Sequence, residues 1–294
     1  MKSIINKKSF NVMLVLLSGI LWGTISIYTE NLTKIGLDSI TITYVRSLLT
    51  AIMLGVFLVF YNPKLFKIKL KSLPAFFGMG VISFSLFNIC YFKSMQLNTV
   101  GTACILLYTA PIFVMILSAM LFKEKLTPIK LLCLALAILG CFLVSGVGGK
   151  TTTSGILFGL GSGLGYALYS IFGIYALKEN HFFTSIFYAF LLAAICLTPL
   201  CNWKQTVYAI SNDTATIFLL LGIAFFTTVL PYILYTSGLR IVPAGEASVI
   251  ACVEPLVANL LGIFIFNQIP TFAAVFGIVL ILLAVIVLGL HNKE

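Results

Sequence analysis

The chain has 294 residues, of which 61 % are apolar and 9 % are charged, and its formal net charge is +10. Soluble domains carry about 25 % charged residues, so this composition excludes an ordinary soluble domain. In a soluble protein the positive charge would suggest a nucleic-acid partner. Here the basic residues fall between apolar segments, where membrane topology accounts for them.

Ten apolar segments follow one another along the chain, each long enough to cross about 30 Å of hydrocarbon. The first five lie near Phe10–Glu30, Asp38–Tyr61, Leu73–Phe92, Asn98–Leu121 and Leu126–Gly146. The second five lie near Thr153–Tyr175, His181–Cys201, Thr214–Ser237, Pro243–Ile265 and Pro270–Leu290. We expect the first segment to be a retained helix, because it lacks the small-residue cleavage site of a signal peptide. The predicted fold is an all-α, multi-pass membrane protein.

The basic residues favour one side of the membrane. With the N-terminus in the cytoplasm, the inner side holds Lys2, Lys7, Lys8, Lys64, Lys67, Lys69, Lys71, Lys123, Lys125, Lys130, Lys178, Arg240 and Lys293. The outer side holds Lys34, Lys93, Lys150 and Lys204, and Arg46 lies inside a span. Because cytoplasmic loops are enriched in Lys and Arg, this bias predicts an inner-membrane protein with both termini in the cytoplasm.

The two halves of the chain, 1–146 and 147–294, align without a gap when the sequence is shifted by 144 residues. The aligned pairs include Ser18 with Ser162, Gly19 with Gly163, Tyr44 with Tyr188, Gly78 with Gly222, Tyr91 with Tyr235 and Pro111 with Pro255. Each half has five spans, an odd number, so the second half is predicted to cross the membrane in the opposite sense. Inverted repeats of this kind are typical of secondary transporters, which bind substrate near the midplane where the halves meet.

Motifs of both halves resemble the EamA-type members of the drug/metabolite transporter superfamily. The first half contains SGILWGTISIY, YVRSLLTAIML and TVGTACILLYTAPIFVMILSAMLFKEKLTP. The second half contains GILFGLGSGLGYALYSIFG and VPAGEASVIACVEPLVANLLGIFIFNQIPT, with Asn267-Gln268 where the first half has Lys123-Glu124. The resemblance covers nearly the whole chain. It implies a carrier of amino acids, related metabolites or drugs, often working outward.

Pro111 and Pro255 occupy equivalent positions near the middle of the fourth and ninth spans. A proline there removes an internal hydrogen bond and frees the carbonyl four residues earlier, that of Leu107 or Ala251. In lipid such a carbonyl needs a partner in protein or in a wet cavity. We therefore predict two kinked helices that cross at the centre, where the kinks serve either packing or the substrate path.

Glu254 directly precedes Pro255, and its equivalent in the first half is the neutral Ala110. A carboxylate at mid-bilayer costs roughly 2.5–3.5 kcal/mol on insertion scales and marks a functional site by default. Glu254 could carry the coupling proton or accept a substrate ammonium. The alternative is that it caps the kinked helix by accepting a hydrogen bond from a backbone donor.

Aromatic and small polar side chains recur in the first and sixth spans. Trp22, Ser26 and Glu30 follow the i, i+4, i+8 spacing that places side chains on one helix face. Tyr166 and Ser170 hold the positions equivalent to Trp22 and Ser26. Trp22 lies too deep for an interfacial aromatic belt, so we expect these side chains to line a substrate cavity. Simple helix packing is the alternative.

Two further pairs occupy equivalent positions in the third and eighth spans. Asn88 and Tyr91 lie toward the outer end of the third span, and Tyr232 and Tyr235 lie toward the inner end of the eighth. We predict an outer and an inner gate that also contact the substrate. An interfacial aromatic belt is the alternative for Tyr91 and Tyr235. Tyr108, in the middle of the fourth span, completes the predicted binding set.

Arg46 lies about three turns inside the second span, at the position equivalent to Phe190. We predict a salt bridge to Glu30 or Asp38 on the outer side. The alternative is that Arg46 binds a carboxylate of the substrate.

The residue types do not indicate an enzyme. The sequence has no metal-ligand spacing, Ser/His/Asp set or glycine-rich phosphate loop, so neither a metal nor a cofactor is expected. The seven cysteines lie in apolar spans without a CxxC motif, which favours a packing role. A nucleotide-binding domain is missing from the sequence, so transport would be driven by a gradient.

The leading hypothesis is a secondary carrier working by alternating access, with its cavity between the first, third, fourth, sixth, eighth and ninth spans. Aromatic walls with one carboxylate favour a small substrate that carries an ammonium group, such as an amino acid, and export is the expected direction. Alternatives are a choline-like or cationic drug as substrate, or a non-transporting membrane scaffold. The aliphatic fifth and tenth spans are predicted to be peripheral, leaving a monomer or a weak homodimer through them. The other predicted partners are the bilayer and the substrate, and no nucleic acid.

Overall fold

The computed structural model describes residues 2–146, 151–266 and 269–291. The predicted outer Lys150, the predicted inner Lys293 and the Asn267-Gln268 pair lie outside this part of the chain. All secondary structure in the described part is helical, and ten helical segments are long and apolar enough to cross a membrane. The predicted all-α, ten-span fold is therefore confirmed.

The first five spans contain α1 (Lys2–Gly23) with α2 (Ile25–Lys34), then α3 (Ser39–Tyr61), α4 (Leu73–Phe77) with α5 (Leu86–Leu97), α6 (Val100–Leu107) with α7 (Ala110–Phe122), and α8 (Pro128–Ser145). The second five contain α9 (Thr153–Leu177), α10 (Phe182–Leu197), α12 (Ala215–Ala224) with α13 (Leu230–Gly238), α14 (Ala244–Ala251) with α15 (Val253–Phe266), and α16 (Phe272–His291). A further helix, α11 (Trp203–Asn212), lies between the seventh and eighth spans. Most span limits agree with the prediction within a few residues, and the third span extends beyond Phe92 to Leu97.

The third and eighth spans each contain a π-helical segment, which the sequence pattern did not indicate. Gly78–Ser85 joins α4 to α5, and Phe225–Val229 joins α12 to α13. Both segments end at equivalent positions, since Val229 follows Ser85 by 144 residues. Side-chain hydroxyls bind carbonyls there: Ser85 donates to Gly80 O at 2.9 Å, and Thr227 donates to Ile223 O at 2.6 Å. A π-helical turn rotates the side chains that follow it relative to a regular helix, and such turns are frequent at functional sites.

The fifth and tenth spans pack against each other. A Cβ added to Gly140 of α8 would lie 2.7 Å from Gly277 O of α16, and one added to Gly277 would lie 2.7 Å from Gly140 O. The opposite faces of these helices are exposed, as at Leu132 and Phe276. The two helices thus occupy the edge of the bundle, where their exposed faces suit lipid. A homodimer through them stays a prediction.

Contacts between loops follow the predicted alternation of the spans. Lys69 and Lys71, from the predicted inner loop after the second span, bind Glu179 in the predicted inner loop after the sixth at 3.1 and 2.7 Å. On the predicted outer side, Asn202 N donates to Thr41 Oγ1 at 3.0 Å. Loops of one predicted side therefore meet each other. Which side faces the cytoplasm stays a prediction.

Helix α11 corresponds to a stretch that the sequence pattern left between spans. Trp203, Val207 and Tyr208 are exposed on one face, whereas Thr206 and Ala209 are buried on the other. This division makes α11 amphipathic. It packs on the second span through Tyr44, whose ring lies 5.0 Å from that of Trp203.

Candidate functional site

Aromatic side chains from four spans meet at the centre of the bundle and enclose a small cavity, which we call the aromatic cage. Trp22 of the first span is its hub, with ring centroids 5.2 Å from both Tyr232 and Tyr235 and 6.2 Å from Tyr166. The full lining consists of Trp22, Ser83, Phe84, Phe87, Tyr166, Tyr169, Ser170, Tyr232 and Tyr235. These residues come from the first, third, sixth and eighth spans.

The predicted involvement of the fourth and ninth spans is therefore corrected in part. Their kinks do not line the cage, because the first and sixth spans pack directly on them. Tyr108, half-buried, ends α6 at the kink of the fourth span. Tyr108 interacts electrostatically with Glu254.

The helices of the fourth and ninth spans are interrupted near the two prolines. The fourth span is interrupted at Tyr108 and Thr109, between α6 and α7, and the ninth at Cys252, between α14 and α15. Each interruption lies just before its proline. Glycines of the spans in front allow close approach, since a Cβ on Gly19 would lie 3.1 Å from Ala251 O and one on Gly163 would lie 3.2 Å from Leu107 O.

This pair of contacts repeats between the halves. Gly19 and Gly163 are equivalent positions, and so are Ala251 and Leu107. The first span thus packs on the kink of the ninth, and the sixth packs on the kink of the fourth. The freed carbonyls predicted from Pro111 and Pro255 face protein rather than lipid.

Hydrogen bonds between hydroxyl groups fix the rings of the cage. Tyr235 Oη lies 2.8 Å from Ser170 Oγ, and Tyr169 Oη lies 3.0 Å from Thr236 Oγ1. Both pairs join the sixth span to the eighth. Gly165 brings the third span close as well, because a Cβ there would lie 2.9 Å from Phe87 Cβ.

The cage is closed in this structure. About 10 Å³ of its interior can be reached by the centre of a water molecule, which is room for about one water. An amino acid or any larger solute needs the walls to separate before it can enter. The hub ring, Trp22, is only 7 % exposed.

Glu254 lies beside the cage without lining it. Its side chain is half-buried, the Tyr166 hydroxyl approaches its carboxylate as a hydrogen-bond donor, and Arg46 acts on it electrostatically. The Glu254 backbone packs tightly on the first span, where a Cβ on Gly23 would lie 2.8 Å from Glu254 O. The carboxylate is therefore next to the hub and the sixth-span wall of the cage.

Arg46 does not form the predicted outer-side salt bridge. Glu30 instead pairs with Lys34 at 2.8 Å, one turn away on its own helix, and Asp38 caps α3 by accepting from Ile40 N and Thr41 N. The Arg46 guanidinium donates to Asn88 Oδ1 at 3.2 Å and lies 5.1 Å from the centre of the Phe84 ring. The prediction failed because Arg46 points inward, whereas Glu30 and Asp38 satisfy their charges locally.

The remaining predicted residues divide between the cage and its surroundings. Ser170, Tyr166, Tyr232 and Tyr235 line the cage. Tyr91 adjoins it through Phe87, at a ring distance of 6.4 Å, and its hydroxyl lies 3.0 Å from Cys104 Sγ.

Ser26 does not reach the cage. Its hydroxyl is turned back to Gly23 O at 3.5 Å, beyond the break at Thr24 that separates α1 from α2. This break disrupts the regular i, i+4, i+8 spacing on which its prediction depended.

Phe84, Phe87 and Tyr169 are cage residues that sequence reasoning missed. Phe84 and Phe87 stand one turn before Asn88 and Tyr91, and Tyr169 stands one turn after Tyr166. All three missed residues could have been identified by counting one helical turn from the residues that were predicted. The π-helical turn that orients Phe84 gave no such signal.

Two contact networks close the ends of the bundle. The first, which we call the ionic end, contains Lys8, Glu124, Lys130 and Glu246. Glu246 is 3 % exposed and binds Lys130 at 2.9 Å and Lys8 at 3.8 Å, while Glu124 accepts from Ala244 N at 2.9 Å and thereby caps α14. It joins the first, fifth and ninth spans to the loop after the fourth.

The second network, which we call the neutral end, contains Ser94, Asn98, Thr152 and Gly155. Thr152 N donates to Asn98 Oδ1 at 3.0 Å, and Ser94 Oγ donates to Gly155 O at 2.9 Å. Lys8 and Thr152 are equivalent positions. Equivalent positions of the two halves therefore take part in different contacts, which are ionic at one end of the bundle and uncharged at the other.

Comparison with known proteins identifies the family. The model of the EamA-like transporter family matches residues 9–146 and again residues 153–290. An uncharacterized transporter of Archaeoglobus fulgidus is 27 % identical over 93 % of this chain and 94 % of its own length. The uncharacterized inner membrane transporter YicL of Salmonella typhimurium is 21 % identical over 95 % of both chains.

A solved crystal structure has the same fold. It superposes with a TM-score of 0.80 over 96 % of this chain and 97 % of its own, at 14 % identity. The two family matches cover almost every residue of the spans described above. The chain belongs to the EamA-like transporter family.

Proposed function

We propose that this membrane transporter is a secondary carrier of small amine-bearing metabolites, foremost amino acids or related compounds. It works by alternating access in the inner membrane and in the direction of export. The observation that carries the proposal is the aromatic cage, with a carboxylate beside it. Seven rings surround one central cavity that lies between the two halves of the chain.

The cage chemistry supports an ammonium group as the recognised part of the substrate. The faces of Trp and Tyr rings attract cations, by about 0.5–1 kcal/mol when exposed and about 2 kcal/mol when desolvated. Trp22, Tyr166 and Tyr232 are such rings. The same rings bury apolar surface, so a substrate with both an ammonium and a small apolar part suits the site best.

Glu254 supports coupling to a gradient. Its half-buried carboxylate lies next to Tyr166, so a proton or a substrate ammonium that enters the cage comes close to it. A carboxylate inside a span is costly and is kept where it works. We assign it to the coupling proton or to the substrate ammonium. The predicted backbone-cap role has less support, since the polar neighbours found for its carboxylate are side chains.

The two closed ends support alternating access. The ionic end and the neutral end lie at opposite ends of the bundle, and each joins spans of both halves. A carrier with inverted repeats opens one end while the other stays closed. The equivalent contacts of Gly19 and Gly163 support such a repeat, with domains 1–146 and 147–294.

One observation favours a second candidate, a choline-like or cationic-drug carrier. The described side chains that line the cavity are rings and hydroxyls, and the charged Glu254 lies behind Tyr166. A quaternary ammonium needs rings around it but no hydrogen-bond acceptor. It would therefore bind the cage without contacting Glu254.

The test is a ligand screen on the purified protein, followed by transport in proteoliposomes. L-leucine, L-phenylalanine, phenethylamine and choline are compared by thermal shift with glucose and citrate as controls. The primary amines are expected to raise the melting temperature, while glucose and citrate leave it unchanged. A shift with choline alone would favour the second candidate, and shifts with glucose or citrate alone would contradict both.

Glu254→Gln separates coupling from binding. Removing the charge relieves a cost, so the variant is expected to insert and fold as the parent does. Gradient-driven transport of the bound amine should be lost. If Glu254 contacts the ammonium, binding should also weaken, by about 1–3 kcal/mol. Full gradient-driven transport per folded Glu254→Gln molecule would exclude Glu254 from the mechanism.

A further inference from the structure

The Arg46 guanidinium is a buried charge whose contacts are neutral. Arg46 is 6 % exposed, and its hydrogen bond goes to the amide oxygen of Asn88. Among the described residues, the ion pairs involve Lys8, Lys34, Lys69, Lys71 and Lys130 but not Arg46. A guanidinium has five N–H donors, and the described hydrogen bonds use one of them. Burying such a charged group has a large free-energy cost unless an anion pairs with it.

Arg46 adjoins the cage at Phe84, on the wall that the third span supplies. Its guanidinium lies over Phe84, which lines the cavity and contacts Tyr232 at a ring distance of 5.9 Å. Arg46 also interacts electrostatically with Tyr232. The guanidinium is thus separated from the cavity by one layer of rings.

Glu254 adjoins the same cavity at a different wall, behind Tyr166. The ring path between the two charges runs from Phe84 to Phe87 at 6.3 Å and from Phe87 to Tyr166 at 5.5 Å. Arg46 and Glu254 attract each other through space, yet neither forms an ion pair in the described part of the chain. Among the described residues, the closed cage therefore has a cation without an ion-pair partner beside one wall and a carboxylate without one beside another.

We propose that Arg46, held by Asn88, binds the carboxylate of the substrate when the cage opens, so that the carrier selects zwitterionic α-amino acids over amines without a carboxylate. This inference rests on the proposed function and adds its specificity-determining residue. An α-amino acid offers an anion to Arg46 and an ammonium to Glu254 and the rings. Arginine suits this role because its fork of N–H groups matches a carboxylate.

The experiment uses three ligands that share one side chain: L-leucine, L-leucine methyl ester and 3-methylbutylamine, with the phenylalanine series as a second set. All carry the ammonium, and only the free acids carry the carboxylate. Trp22 and Trp203 are the two tryptophans of the chain, so a Trp203→Phe background leaves Trp22 fluorescence as a signal of binding in the cage. In this background the acids are expected to bind at least about tenfold more tightly than the esters and amines.

Two variants test the role of Arg46. Arg46→Gln should lower the affinity for the acids to that of the esters while leaving ester binding within about twofold. Asn88→Asp keeps Arg46 but places a carboxylate where the amide oxygen lies 3.2 Å away, so it should abolish the preference for acids as well. Arg46→Lys should retain part of the preference, because a cation remains.

The possible results separate failure of the carboxylate site from failure of the proposed function. Equal binding of acids, esters and amines by the parent would overturn the carboxylate site and leave the proposed function intact. Binding of no amine at all would contradict the proposed function itself. If Arg46 serves folding alone, Asn88→Asp should give a stabilised protein with its acid preference unchanged, and that result would also overturn the inference. The Asn88→Asp arm keeps the test valid if Arg46→Gln fails to fold.

Discussion

Trp22 contacts aromatic side chains from two other walls of the aromatic cage. Its ring contacts Tyr166 of the sixth span and Tyr232 and Tyr235 of the eighth. The depth of Trp22 in the first span predicted a cavity role. Its three partners were predicted too, although Tyr232 and Tyr235 were assigned to a gate; in the closed structure they are walls of the cavity.

Replacing Trp22 with leucine keeps an apolar side chain and removes the ring face. We expect amine binding to weaken by about 0.5–2 kcal/mol, which corresponds to roughly 2- to 30-fold in Kd. The measurement is isothermal titration with the amine found in the screen. Trp203→Leu is the matched control, because Trp203 is exposed on α11 and does not line the cage. Equal loss in both variants would argue against a cation–π contribution at Trp22.

At the scale of elements, the π-helical segment of the third span depends on close approach to the seventh. A Cβ added to Gly80 would collide with the backbone carbonyl of Ala189 in α10. Because that atom belongs to a helix backbone, it cannot rotate away as a side chain would. The wall that carries Ser83 and Phe84 is positioned by this contact.

Gly80→Ala is therefore expected to destabilise the protein by about 1–3 kcal/mol, the usual cost of overpacking. The control is Gly161→Ala in α9, where the nearest atom to an added Cβ is Cys90 Sγ at 3.6 Å. There the substitution should be neutral or slightly stabilising, since alanine favours a helix over glycine. Thermal denaturation in detergent compares the two. A Gly80→Ala protein as stable as Gly161→Ala would contradict the packing argument.

At the scale of the whole molecule, the ionic end holds the first, fifth and ninth spans together at one face of the bundle. Glu246 is buried and bound to Lys130 and Lys8, so removing its charge leaves a mostly buried ammonium at Lys130. Breaking a buried ion pair by removing one partner costs about 3–5 kcal/mol. Opening this end requires these contacts to separate.

Glu246→Gln should accordingly favour the state in which the ionic end is open. The readout is maleimide labelling of a cysteine placed at Ser248, which is buried just inside Glu246, in a background without native cysteines. Labelling is expected to accelerate relative to the Glu246 parent. Glu179→Gln is the control, because its pairs with Lys69 and Lys71 are exposed and contribute little. Unchanged labelling would show that the ion pairs do not hold this end closed.

Orientation is tested separately. Single cysteines at Lys69 and Lys204 should react with membrane-impermeant maleimide from opposite sides, Lys69 from the cytoplasm and Lys204 from outside. This expectation follows from the excess of basic residues in the loops on the Lys69 side. Labelling of Lys69→Cys in intact cells, with Lys204→Cys protected, would show that the predicted orientation is wrong.

The ten spans, the helix breaks before Pro111 and Pro255, and the family could be predicted from patterns along the chain. Each depends on local properties: the length of an apolar run, a missing backbone N–H, and the order of motifs along the chain. The sequence also pointed to Trp22, Tyr166 and Ser170 as cavity residues, because their depth and spacing follow from regular helices.

The side chains that face the cavity and the partners of the charged groups became apparent from the packing of the spans. Phe84 lines the cage from within a π-helical segment that the sequence pattern did not indicate, and Ser26 misses the cage because α1 ends at Gly23. Arg46 meets Asn88 rather than Glu30, and Glu246 meets Lys130, although both pairs are distant in sequence. The physical reason is that such contacts are set by how helices from different spans pack against each other, and no local pattern along one helix contains that information.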